Sequence, residues 1–260
     1  MQKLPTLFLS HGSPMHAINA GKAGEVWAAL AKQLPKPKAV LMVTAHWESN
    51  LPMLSGNPKP SMIYDFGGFP EELYKIVYPA SGEPGIAARA LALLKTAGIT
   101  GGIDGCRGMD HGTWVPLLKM YPDADVPVVQ LSVQPAMNPR HHYEVGRALA
   151  PLTREGVLIV GSGHLTHNLR DWMMSRGHGA KAAYALKFQD WVYQHLTAHD
   201  VDGLTRYRQD APDAVRAHPT EEHFLPLFVT LGAAGEGAVV ERVFDGFEGS
   251  ALAMDAYRFN

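Results

Sequence analysis

The sequence predicts an α/β fold: one domain over residues 1–260, with a central, mostly parallel sheet flanked by helices. Three observations predict it. The runs at 6–10, 39–44, 126–133 and 156–160 are almost continuously apolar, the pattern of strands whose two faces are both covered. Helix-like segments separate them, and strands alternating with helices favour parallel pairing through crossovers. No internal repeat or flexible linker divides the chain, and its 260 residues with a hydrophobic fraction of 46% are ample for one buried core.

Residues 6–10 form a short strand that ends at His11-Gly-Ser-Pro, a turn-forming sequence. A helix over 24–34 is stopped by Pro35 and Pro37, and the strand over 39–44 ends at Ala45-His46-Trp47-Glu48. The stretch 50–78 is rich in Gly, Pro and aromatics, including Tyr64-Asp-Phe-Gly-Gly-Phe-Pro70. It reads as a long ordered loop with one helix starting near Pro70, and ordered loops of that length usually cover a site. Residues 85–97 form a helix ended by Gly98. Asp110-His111-Gly112 precedes a short amphipathic helix through Leu118, and a helix over 140–149 follows the strand at 126–133. The strand at 156–160 opens into a Gly-rich turn, Gly161-Ser-Gly-His-Leu-Thr-His167. Helical periodicity covers 180–196, and a further helix begins near Glu221 with Thr220 as its cap. The runs 238–244 and 251–259 read as two late strands added antiparallel to the sheet edge.

Composition narrows the partners. Lys and Arg total 23 against 25 Asp and Glu, a net charge of -2 interspersed along the chain, which argues against a nucleic-acid partner. No apolar run reaches the length of a membrane span, and the opening Met1-to-Leu9 segment is too short for a signal peptide, so no membrane attachment is expected. Cys106 is the only cysteine, which rules out an internal disulfide and a thiolate zinc cluster and suits a reducing, cytoplasmic setting.

Histidine is the unusual quantity, with 13 residues, several beside Gly, Pro or Thr where the chain turns. Open α/β sheets place ligands beyond the carboxyl ends of their strands. His11, His46, His164 and His167 all lie at that end, so they can converge although far apart in sequence. Neutral imidazole is a good ligand for iron(II) or zinc, and three protein ligands leave positions open for substrate and water or oxygen. His11 and His46 are two candidate ligands, with Glu48 as an acceptor behind His46; His223 is the third, with Glu221 and Glu222 as alternative donors or as groups that orient the imidazoles. A histidine beside the metal can also move a substrate proton, and the chain slightly favours His167 over His164 for that role. His111 reads either as a helix-start residue or as a donor to an anionic intermediate. Ser13-Pro14 is no nucleophile elbow, Cys106 reads as structural, and His141 and His142 read as exposed at a helix start. Trp47, Tyr64, Phe66, Phe69 and Trp114 are mainly core aromatics, some available to line a pocket for a flat substrate.

Five segments taken together go further: Leu9-Ser-His-Gly-Ser-Pro-Met15, Thr44-Ala-His-Trp-Glu48, Asp110-His-Gly-Thr-Trp-Val-Pro-Leu117, Gly161-Ser-Gly-His-Leu-Thr-His-Asn-Leu169 and His218-Pro-Thr-Glu-Glu-His-Phe-Leu-Pro-Leu227. In this order the chain resembles the class III extradiol ring-cleavage dioxygenases, in their 4,5-DOPA extradiol dioxygenase-like branch. The resemblance implies one iron(II) held by His11, His46 and His223, His167 as acid/base and His111 as a positioning residue for substrate or oxygen. It gives His164 no necessary role. It further implies a catechol chelated through its adjacent oxygens, dioxygen as co-substrate, and ring opening beside those oxygens. Zinc(II) fits the same donors but has no redox chemistry, and a zinc-dependent hydrolase using a metal-bound water is the rival reading. A metal- or small-molecule-binding module without catalysis is the second rival.

Overall fold

Apolar runs set the centre of the molecule, and the computed structural model describes it over residues 3–175 and 179–260, so the first two residues of the opening segment lie outside it. In chain order the elements are β1 (Thr6–Ser10), α1 (Gly21–Gln33), β2 (Ala39–Glu48), β3 (Met53–Ser55), α2 (Pro84–Thr96), β4 (Gly102–Asp104), α3 (His111–Met120), β5 (Val128–Val133), α4 (Pro139–Leu149) and β6 (Val157–Gly163). There follow α5 (Leu169–Met174), α6 (Ala183–Thr197), the short helices α7 (Val201–Thr205), α8 (Tyr207–Asp210) and α9 (Ala214–Ala217), then α10 (Leu225–Ala234), β7 (Val240–Phe244), β8 (Phe247–Glu248), β9 (Leu252–Ala253) and β10 (Ala256–Phe259).

One sheet runs in the order β4-β3-β5-β2-β6-β1-β10-β7. Its centre, β5-β2-β6-β1, is parallel throughout, as the apolar runs predict. The late strands add antiparallel where expected, β10 on β1 and β7 on β10. The opposite edge is also antiparallel, through β3 on β5, which the sequence reading missed because a three-residue strand carries almost no periodicity. Side chains alternate between two cores. Leu41, Val43, Val129 and Ile159 pack under α2, α4, α6 and α10, while Val40, Met42, Leu158 and Val160 pack with Trp27 of α1 and Trp114 of α3. No helix among the described residues is long and apolar enough to cross a membrane.

Four departures from the sequence reading shape the site. β2 continues to Glu48 across a register shift after Val43, so His46 lies inside the strand. β6 continues through Gly163, so Gly161-Ser-Gly163 is buried strand and not a turn. α3 is buried on nearly every side instead of amphipathic, because it lies over the strand ends beneath the 50–78 segment. α10 begins at Leu225, four residues later than expected. Thr220 caps nothing; its hydroxyl donates to Glu222, and Pro226 in the first turn, where no N–H is needed, sets the start of the helix.

The glycines of β6 explain how α10 reaches the sheet. A Cβ at Gly161 would lie 2.6 Å from the carbonyl oxygen of Pro226, and one at Gly163 would overlap the carbonyl oxygen of His223. Only hydrogen at these positions lets the segment carrying His223 lie against the strand. Gly163→Ala is therefore expected to destabilise the fold by about 1–3 kcal/mol, the usual cost of overpacking. A lowered denaturation midpoint at constant m-value reads this loss; a midpoint equal to that of the parent would show that the close approach is dispensable.

Candidate metal centre and active site

Three histidines from distant parts of the chain meet at the carboxyl edge of the sheet. His11 leaves the end of β1, His46 projects from the last residues of β2, and His223 sits in the turn that leads into α10. One ring nitrogen of each lies within 4.8 Å of the other two. The Nε2 atoms of His11 and His46 are 3.0 Å apart, and the Nε2 of His223 is buried without a hydrogen-bond partner.

The other nitrogen of each ring fixes its tautomer. Nδ1 of His46 lies 3.1 Å from Asp65 Oδ2, and Nδ1 of His223 lies 2.8 Å from Glu222 Oε1. An ionised carboxylate only accepts, so both rings carry their proton on Nδ1. For His11 the partner is Ser162 Oγ at 2.9 Å, and the hydroxyl proton of Ser162 is already given to the carbonyl of Gly112. That carbonyl is free because Pro116, four residues on in α3, has no N–H to offer it. Ser162 must accept from His11, whose proton is therefore also on Nδ1. Three Nε2 lone pairs thus point at one buried place. Such an arrangement is repulsive as it stands and is relieved by a cation, so the donor set fits a first-row divalent metal such as iron(II). Burial, followed by neighbouring imidazoles, holds His11 and His223 well below the ordinary histidine pKa, which keeps these lone pairs free near neutral pH.

Around these rings stand the other predicted residues. The ring of His111, first residue of α3, lies 4.0 Å from that of His46 between centroids, and its Nδ1 is 2.9 Å from Asp65 Oδ1. Asp110 caps the same helix by accepting from Thr113 N at 3.1 Å, so His111 is both a helix-start residue and a member of the cluster. His167 stacks on His223 with 3.5 Å between centroids and 15° between planes. Burial, then His218 and other imidazoles, lowers its pKa to about 3. His164 is also brought in, 5.5 Å from His11 between ring centroids, with Nδ1 buried and unpaired. Phe66 meets His111 edge-on at 5.7 Å and, with Tyr64 and Trp114, forms an aromatic wall.

Several expectations need correcting. Glu48 is not the acceptor behind His46; it is exposed, and with Glu222, Pro219 and Arg208 it lines a cavity of about 420 Å³. Asp65 takes that place, from within the aromatic loop, and no local pattern singles it out. Burial pushes the Asp65 carboxyl upward, but hydrogen bonds from His111 and His46 outweigh it and hold the group well below the usual carboxylate range. Of the two roles left open for Glu222, orienting His223 is the observed one. His142 is buried and not exposed, because α4 packs closely on α10 and its Nε2 accepts from the Gln134 N–H at 3.1 Å. Cys106, expected to be structural, is an exposed free thiol.

Residues 5–253 match the family model described as the catalytic LigB subunit of aromatic ring-opening dioxygenase. The chain belongs to this family. The dioxygenase is 41% identical over 262 residues to a 4,5-DOPA dioxygenase extradiol of Beta vulgaris, covering 98% of this chain and 96% of that one. It is 38% identical over 257 residues to a 4,5-DOPA dioxygenase extradiol of Escherichia coli K12, covering 97% and 93%. It also superposes on the crystal structure of an uncharacterized protein from Escherichia coli K12 with a TM-score of 0.84 at 34% identity, over 99% of this chain and 100% of that one. With a histidine cluster able to hold a metal ion in place, the dioxygenase is a non-haem iron(II) enzyme that cleaves catechol rings in the extradiol position. This decides between the dioxygenase and the hydrolase expected from the same donors.

Proposed function

We propose that His11, His46 and His223 hold the iron(II), that His167 is the acid/base, and that His111 positions the substrate or dioxygen, with DOPA or a related catechol as the substrate. The observation that carries this reading is the convergence of three Nε2 lone pairs whose opposite nitrogens are all tied to acceptors. When bound there, iron(II) supplies the redox and Lewis-acid chemistry that ring opening by dioxygen requires, and it brings catechol and dioxygen together.

The chain's own residues supply the rest. Near neutral pH His167 is neutral and so is ready to take a phenolic proton at a ring nitrogen. The catecholate left behind is anionic, and an anion close by raises the pKa of an imidazole, so the proton stays on His167 until an oxygen of the opening ring accepts it. Asp65 and Glu222 keep His46 and His223 in the ligating tautomer. The aromatic wall of Tyr64, Phe66 and Trp114 keeps water from one side of the cluster and suits a flat substrate.

We assign the full chain, 1–260, to one catalytic domain, which a match over residues 5–253 supports. A cytoplasmic setting fits iron(II) and a lone thiol, and the net charge of -2 gives no reason to expect a nucleic-acid partner. Anaerobic loading with iron(II), then addition of aerated DOPA, is expected to consume dioxygen and give a coloured ring-opened product. Zinc-loaded protein is expected to bind the catechol without oxygen uptake, because zinc has no redox chemistry. Turnover with zinc and an ester or amide, and none with iron and any catechol, would overturn the reading.

A further inference from the structure

Asp65 makes three contacts with two histidines. Its Oδ2 lies 3.1 Å from Nδ1 of His46, while its Oδ1 lies 2.9 Å from Nδ1 of His111 and accepts from the backbone N–H of His111 at 3.0 Å. The rings so joined are 4.0 Å apart between centroids. Two further groups brace the same pair: Arg107 Nη2 donates to the carbonyl of His46 at 3.2 Å and to Asp110 Oδ2 at 2.9 Å, and Asp110 caps the helix that begins with His111.

We infer that Asp65 is a positioning residue that locks His46 and His111 as one unit, each protonated on Nδ1 with Nε2 turned to the centre, and so couples metal binding to the histidine that faces substrate or oxygen. The inference rests on the ligand role proposed for His46. It also explains why the 50–78 segment crosses the site, since that loop delivers the one carboxylate that both imidazoles share.

The two oxygens are not equivalent, and this yields a sharp test. Oδ1 serves two donors on His111, and Oδ2 serves only His46. In Asp65→Asn the single carbonyl oxygen best occupies the Oδ1 place, where two N–H groups need an acceptor. The amide NH2 then faces Nδ1 of His46, which must become the acceptor, so the proton moves to Nε2 and blocks the atom proposed to ligate. His111 keeps its tautomer. Removing the carboxylate altogether, as in Asp65→Ala, frees both rings.

Nitrogen NMR of the metal-free protein, with its histidine rings labelled, reads each tautomer without any turnover. Asp65→Asn is expected to move His46 to the Nε2–H form and leave His111 unchanged, while Asp65→Ala disturbs both. Iron(II) affinity, measured by chelator competition, is expected to fall about 10- to 100-fold in Asp65→Asn, the usual cost of losing a partner behind a ligating imidazole. Asp65→Glu keeps the charge and is expected to keep Nδ1–H on His46. The inference is overturned if folded Asp65→Asn retains the parent's His46 tautomer and binds iron(II) within about twofold of the parent. A failure of the ligand assignment looks different, since His46→Ala would then bind iron(II) as tightly as the parent.

Discussion

Replacing His167 with alanine is expected to leave iron(II) binding unchanged and to lower kcat about 10²- to 10⁴-fold, the range that a positioned acid/base contributes. The ring lies flat against His223, so its place beside the metal site does not depend on donating a nitrogen to the ion. Because burial and neighbouring imidazoles lower its pKa to about 3, the parent enzyme holds it as a base across the working pH range. Its loss should therefore lower kcat/KM across that range without changing the shape of the pH profile there. Iron content by metal analysis and oxygen-uptake kinetics on one preparation read both halves of the prediction. Full iron with kcat within about twofold of the parent would take the acid/base role from His167 and turn attention to His164, whose Nδ1 is buried without a partner 5.5 Å between ring centroids from His11.

His223→Ala is expected to have the opposite signature, losing the iron and with it all ring cleavage. Removing a group behind a ligand costs about 10- to 100-fold in metal affinity, so removing a ligand outright should cost more than ~100-fold. The side chain is nearly sealed, and its neighbours are placed for other contacts: His167 stacks on the face of the lost ring, and Glu222 would have to leave the position it occupies behind it. Chelator competition measures the affinity directly, and supplying excess iron(II) tests whether turnover returns. Unchanged affinity in a folded His223→Ala protein would mean that the ion sits elsewhere in the cluster.

The central strands were legible because a parallel strand covered on both faces reads as an unbroken apolar run, and Val40 to Val43 or Val157 to Val160 can hardly be read otherwise. The clustering of His11, His46, His164 and His167 was legible for a related reason, since strand ends in such a sheet share one edge, and the five motif segments that matched a family in order added His111 and His223. What escaped was contact across sequence distance. Asp65 meets His46 and His111 from the middle of an irregular loop, with no periodicity and no motif to mark it. Ser162 orients His11 only because Pro116 leaves the Gly112 carbonyl free, a relation that exists once α3 lies over β6. The start of α10 was misread because Thr220 followed by Glu222 imitates a capping pattern, whereas Glu222 is engaged with His223 and Thr220 with Glu222.

The histidine-rich pocket holds three overlapping groups able to take an ion: His11 with His46 and His223, His46 with Asp65 and His111, and His167 with Glu222 and His223. A crystal structure of the enzyme loaded anaerobically with iron(II) and a catechol separates them in one measurement. The expected result is a single iron on the Nε2 atoms of His11, His46 and His223, chelated by the two catechol oxygens, with a nitrogen of His167 facing one of them. Iron bound instead through the carboxylate of Asp65 or Glu222 would contradict the account.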